Sequence, residues 1–120
     1  MKIFRFDKEV GKNIPAFNSS NFIMTRIGHF TDEAHIGCMH IGEEGVVGYH
    51  QAKMSQLFLV AQGEGWVRTD ESDRMTIKAG EAAHWTEGEW HESGSDEGMV
   101  VIVIESPSLN PSTFMVEKVN

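Results

Sequence analysis

The chain has 120 residues, a formal net charge of −8 at pH 7 and 40% hydrophobic residues, which is the composition of a globular protein that can bury its own core. The 10 Lys and Arg residues are scattered, and because phosphate binding needs clustered cations, no nucleic-acid partner is expected. No apolar run is long enough to cross a bilayer, and the first ten residues lack the features of a signal peptide, so no membrane partner is expected. Cys38 is the only cysteine, which excludes a disulfide within the chain and favours a cytoplasmic location.

Short β-strands are predicted along the whole chain, and no segment has helical periodicity over ten residues or more. Alternation and enrichment in β-branched and aromatic residues predict strands over 2–6, 21–30, 35–41, 46–52, 56–61, 66–69, 75–77, 81–86, 91–93 and 99–104. Glycine-rich or polar turns separate them, including 62–65, 70–74 and 94–98, and the tail after Pro107 is predicted to be irregular. This spacing is typical of an all-β sandwich or barrel.

Two of these strands, at 57–60 and 100–104, are apolar on both faces. One face would fill a barrel, and the other must be covered by a second layer or by a partner subunit. The sequence therefore gives a reason to expect a homodimer.

Two histidine-containing stretches have a regular spacing. In the first, His50 precedes Gln56, and Gly63 follows Gln56 after six residues; in the second, Gly80, Thr86, Gly88 and His91 are the spaced positions. This pattern resembles the two motifs of the cupin superfamily, with threonine in place of the proline of the second motif. The resemblance spans about residues 35–106 and implies a jelly-roll barrel. It also implies a single domain over 1–120, with N-terminal strands in 1–34 and a short C-terminal tail at 107–120.

The first motif departs from the family pattern at two ligand positions, where Ala52 replaces a histidine and Gln56 replaces a glutamate. The resemblance implies a metal site of three histidines and a carboxylate, of which His50 and His91 remain, with the amide oxygen of Gln56. Such a set would hold Zn, Ni, Mn or Fe weakly, with waters completing the shell. The alternative is that both imidazoles are hydrogen-bonded groups around a water or a small polar ligand, with Gln56 recognising the ligand as donor and acceptor and Trp85 forming a pocket wall.

Other residues of interest lie outside this pair. Cys38 and His40 share one strand face and are candidate replacement ligands for Zn, although a small buried hydrophobic role is more typical for such a cysteine. Family alternation points Trp85 towards the core and His84 outwards.

Three functions are consistent with these residues. The first is a binding protein that holds a small polar ligand in the barrel centre. The second is a metal-dependent oxygenase, isomerase or lyase acting on a small organic acid, with Gln56 orienting the substrate. The third is a regulatory or structural dimer with a vestigial pocket. The fold cannot decide among them, because the same fold carries many functions.

Overall fold

β-Strands form the architecture of the computed structural model, which describes residues 1–70 and 72–119. The strands of this part of the chain are β1 (Lys2–Arg5), β2 (Lys12–Asn13), β3 (Ile23–Met24), β4 (His35–Ile41), β5 (Gly45–Gln51), β6 (Gln56–Thr69), β7 (Met75–Lys78), β8 (Glu81–Trp85), β9 (Trp90–Ser95), β10 (Met99–Glu105) and β11 (Val116–Glu117). Single 3₁₀ turns lie at Lys8–Val10, Ala16–Asn18 and Pro111–Thr113. No helix among the described residues is long and apolar enough to span a membrane.

Nine of the strands in the described residues form one antiparallel sheet; six of them follow the order β11-β1-β8-β6-β10-β4, and β5, β7 and β9 branch from this path. The long strand β6 joins two layers, because its first half pairs with β8 and β10 and its second half with β7 and β9. Strand β5 pairs with β9 and completes the second layer. Within the described ranges β4 and β5 do not pair with each other, so the barrel is open between them. The predicted all-β jelly roll is confirmed, as an open sheet rather than a closed one.

The core lies on both faces of the sheet. The inner face packs around Phe58, Val60, Val67, Trp85 and Val101. The outer face of β6 and β10 carries a second cluster, which is covered by the chain's own terminal segments. That cluster and the residues packed on it are Phe4, Leu57, Leu59, Ala82, Ile104, Leu109, Met115, Phe6, Ile27, Phe30 and Ile102. The second layer that the apolar strands require therefore comes from within the chain.

Three predicted elements were wrong. A strand was predicted over 21–30, but only Ile23–Met24 forms one, because Ile27 and Phe30 instead cover the outer cluster. The turn predicted at 62–65 is part of β6. Next to it, Ala61 is an extra residue of β6 opposite Val100 and Val101 of β10, and this bulge and the positive φ of 84° at Gly63 bend the strand from one layer into the other. The tail is not irregular throughout, since β11 pairs with β1. The turn predicted over 70–74 includes position 71, which lies outside the described residues.

Candidate functional site

His50 and His91 lie directly opposite each other on paired strands β5 and β9. Their ring centroids are 4.4 Å apart, with the ring planes tilted by 58°. His91 points inwards, since alternation places it on the same face as Ser93, which pairs with the core residue Val67. Only 2% of His91 is exposed, whereas His50 is open to solvent. The structure thus brings the two predicted histidines together at one mouth of the barrel.

Backbone carbonyls orient both imidazoles. The Nδ1 atom of His50 is 2.6 Å from the Gly48 carbonyl oxygen, and Nδ1 of His91 is 3.3 Å from that of Glu89. Because a carbonyl only accepts, each neutral ring carries its hydrogen on Nδ1 and keeps a lone pair on Nε2. Burial lowers the pKa of His91; the bond to the Glu89 carbonyl opposes this shift, and the neighbouring His50 adds to it. His91 is therefore a neutral hydrogen-bond acceptor at pH 7.

Trp85 forms the buried wall of this site. Its ring stacks on His91 with a centroid distance of 4.2 Å and an interplanar angle of 19°, and it meets Phe58 edge-on at 5.5 Å. The residue is fully buried, yet among the described residues its indole Nε1 has no hydrogen-bond partner. An unmatched buried N–H costs about 1–3 kcal/mol, and such groups are rare in folded proteins. The site thus contains a buried hydrogen-bond donor, the indole N–H of Trp85, whose acceptor is missing among the described residues.

Gln56 lies opposite Trp85 in β8 and opposite Glu105 in β10. Its Nε2 donates to Oε1 of Glu105 over 3.0 Å, which leaves the Gln56 carbonyl oxygen as an acceptor. Sequence reasoning missed Glu105, although alternation from the core residue Val101 places it on the inner face at the end of β10.

Ala52 contributes only its backbone and a methyl group. Its N–H donates to the Glu89 carbonyl and its own carbonyl accepts from Gly88, both at 2.9 Å, while the side chain joins the inner cluster. The residue fastens the loop before β9 to the end of β5. It adds an apolar surface to the site and no polar group.

The donor set does not fit a tightly held metal ion. In residues 1–70 and 72–119 there is no group of three or more His, Cys, Asp or Glu side chains that could hold one. Two imidazoles face each other, and the amide of Gln56 is engaged by Glu105. Resident divalent ions are normally held by three or four protein ligands.

Cys38 and His40 do not complete the inner site. They lie on the outer face of β4, since the alternate residues Met39 and Ile41 pack against the inner cluster. The buried role suggested for Cys38 is wrong, because the residue is exposed. His84 points outwards as expected, with Nε2 2.8 Å from the Ser55 hydroxyl.

The surface cavities of the described residues lie away from His50 and His91. Five of them, with volumes between about 210 and 710 Å³, are lined by other residues, one of which is His40. The site at His50 and His91 is the stronger candidate for ligand binding, because it combines oriented imidazoles with a buried donor that has no partner in the described residues. The cavities are depressions open to solvent at the surface.

Comparison with known proteins identifies the fold of this chain through solved structures. No protein-family model and no curated protein matches the sequence. Among solved structures, an RmlC-like cupin from Shewanella frigidimarina NCIMB 400 is similar at 22% identity, with a TM-score of 0.59 over 66% of this chain and 70% of that one. A cupin-like protein from Thermotoga maritima MSB8 is similar at 15% identity, with a TM-score of 0.61 over 65% and 60%. A predicted oxalate decarboxylase from Thermotoga maritima is similar at 19% identity, with a TM-score of 0.53 over 57% and 62%.

These similarities show that the chain has the jelly-roll fold of the cupin superfamily. The fold implied by the resemblance of the two motifs is therefore confirmed. Sequence identities of 15–22% establish a shared fold but not a shared activity, so the activity must be inferred from the site.

Proposed function

We propose that the protein binds a small polar molecule at the mouth of the barrel, between His50, His91 and Gln56 and against Trp85, without a resident metal ion. The observation that carries the proposal is the fully buried indole N–H of Trp85, which has no partner in the described residues and lies in a ring stacked on His91. A ligand acceptor atom would satisfy this donor, and the free Nε2 atoms would accept from the same ligand.

The charges at the site favour one class of ligand. His91 is neutral at pH 7, Glu105 is a carboxylate, and none of the site residues is Lys or Arg. The site therefore offers mostly hydrogen-bond acceptors, which suit a neutral or cationic molecule with hydroxyl or amino groups. An organic acid would meet acceptors and a like charge, so the enzyme alternative with such a substrate has less support.

Binding can be tested by NMR with the protein free of a histidine tag. The probes are glycerol, D-glucose and 1-amino-2-propanol, with succinate as the contrasting class. We expect a hydroxyl- or amine-bearing probe to shift the indole N–H signal of Trp85 and the ring signals of His91. The shift of the Trp85 signal should disappear in His91→Ala, and both shifts should persist in the matched control His29→Ala, which changes an exposed histidine. No shift with any donor-bearing probe, or a shift with succinate alone, would contradict the proposal.

A divalent metal ion is the competing occupant, and the same protein tests it. Zn²⁺, Ni²⁺, Mn²⁺ or Fe²⁺ would be titrated into a Cys38→Ser background, so that the thiol does not bind the ion. We expect weak binding, since two imidazoles are a small donor set. One tightly bound ion per chain that is lost in His91→Ala would favour the metal site instead.

A further inference from the structure

Strand β4 is an open and unprotected sheet edge. It pairs with β10 on one side, and in the described part of the chain no strand pairs with its other side. Its seven residues, HIGCMHI, include no Lys, Arg, Asp, Glu or Pro, and its pairing with β10 has no bulge. Soluble proteins normally protect such edges with one of these devices, because free N–H and C=O groups recruit another strand. Ile36 is 66% exposed on this strand, so the edge has the character of an interface.

The outer face of the same strand carries a pair of metal-ligating groups. Sγ of Cys38 lies 3.7 Å from Nε2 of His40, and both side chains are exposed. In a tetrahedral zinc site, Zn–S of about 2.3 Å and Zn–N of about 2.0–2.1 Å place two such ligands about 3.6 Å apart. The two donors therefore already have the spacing of neighbouring ligands of one zinc ion. They supply half of a four-ligand set.

A second copy of the chain would supply the other half. When an edge strand pairs antiparallel with its own copy about a two-fold axis perpendicular to the sheet, residues of the same face lie opposite each other. A register centred on Cys38 pairs all of His35–Ile41 and sets the two thiols opposite each other. A register centred on Met39 sets each Cys38 opposite a His40 instead. In the second register opposite Cβ atoms are about 4.5–5.5 Å apart, so the two Cys38–His40 pairs face each other and gather two thiols and two imidazoles around one point. In the first register the two His40 residues lie four positions apart along the strands, too far apart to share one ion, so the zinc site requires the register centred on Met39.

We propose that two copies of this chain pair edge to edge through β4, and that Cys38 and His40 of both copies bind one zinc ion. Each thiol releases its proton to solvent as its sulfur–zinc bond forms, and each Nε2 contributes its lone pair. The two thiolates balance the charge of the ion, and no oxidation or reduction takes place. This zinc site is separate from the proposed ligand site, because Cys38 and His40 face away from the inner cluster, whose Trp85 stacks on His91.

The test is the oligomeric state of the untagged protein with Zn²⁺ or with EDTA, measured by sedimentation equilibrium under a phosphine reductant. We expect Zn²⁺ to lower the dimer dissociation constant by at least about tenfold, with one ion for every two chains. Cys38→Ser and His40→Ala should each remove this effect. The matched control His35→Ala, on the same strand but the opposite face, should retain it.

Cobalt provides an independent readout of the ligands. Co²⁺ in place of Zn²⁺ should give thiolate charge-transfer absorption, which should be absent in Cys38→Ser. Circular dichroism would verify that both variants keep the wild-type β spectrum, as expected for changes at exposed positions. A protein that stays monomeric with Zn²⁺, binds one ion per chain, or dimerises with zinc equally well as Cys38→Ser would overturn the proposal.

Discussion

The contact between Gln56 and Glu105 makes the sharpest prediction, because a single change turns a hydrogen bond into a repulsion. Gln56→Glu replaces the amide that donates to Oε1 of Glu105 over 3.0 Å with a second carboxylate. Two unit charges about 3 Å apart repel by about 5 kcal/mol at an effective dielectric constant near 20. Allowing for the solvent exposure of Glu105, we expect the variant to lose about 2–4 kcal/mol of unfolding free energy at pH 8.

The pH dependence has a definite sign. The paired carboxylates would share a proton, which raises the pKa of one of them above its value in the unfolded chain. The folded variant then binds more protons than the unfolded one, so its stability falls as pH rises and recovers towards pH 5. The wild-type protein has an amide at position 56 and lacks this dependence.

Urea unfolding at pH 5, 6.5 and 8, followed by tryptophan fluorescence, would measure these effects. Gln56→Met is the matched control, which removes the hydrogen bond without adding a charge. The double variant Gln56→Glu/Glu105→Gln exchanges the two groups and should recover most of the loss, since amide and carboxylate face each other again. Equal stability of Gln56→Glu at pH 5 and pH 8, or a double variant no more stable than the single one, would refute the reasoning. If His50 and His91 converge on one point, Gln56→Glu should also tighten divalent-metal binding.

Two further changes test the loop before β9 and the bend in β6. Burial would raise the pKa of Glu89, but bonds from the N-terminal amine, the Thr86 backbone and the Thr69 hydroxyl lower it to about 2. The stability that these bonds contribute is fully present above the ordinary pKa of a glutamate and is lost as pH falls towards 2. Glu89→Gln should therefore remove about 1–3 kcal/mol of acid-dependent unfolding free energy, which unfolding measurements between pH 5 and pH 2 would detect. Gly63→Ala should cost more than about 2 kcal/mol in urea unfolding, because φ is positive and the new Cβ would overlap the Gly98 carbonyl; wild-type stability would show that the bend can relax.

The sequence predicted the strands that end at clear turn signals. His35–Ile41 has the predicted limits, and the strands carrying His50 and Trp85 differ from prediction by one residue at their ends. These segments combine alternation with glycine or polar boundaries, which are local signals. The bend at Gly63 could not be predicted this way, since glycine before Glu64 favours a turn as much as a bulge. Only the pairing with β10, a distant segment, keeps the strand extended.

Long-range pairing also explains the errors at the site. The hydrogen bond from Gln56 to Glu105 joins residues 49 positions apart, and the register of β6 with β10 decides it. Alternation shows that Cys38 and His40 share a face, but it cannot show whether anything covers that face. Cys38 is exposed because it lies on the outer face of the edge strand β4, to which the outer cluster does not extend, and this depends on the sheet order and not on the local sequence.

The replacements in the first motif change what the inner site can hold. With glutamine at position 56, the charge of Glu105 is met by an amide donor rather than by a cation. Alanine at position 52 places an apolar methyl group where the cupin motif that the sequence resembles has a histidine. A divalent ion would have to compete for Glu105 with the hydrogen bond from Gln56 and would gain only two imidazoles. A ligand amine or hydroxyl has no such conflict, because it can donate to the Nε2 atoms and to the oxygens of Gln56 and Glu105 while the existing bond stays intact. Under the proposed function, Gln56 and Ala52 therefore accommodate a hydrogen-bonded organic ligand more readily than a divalent ion.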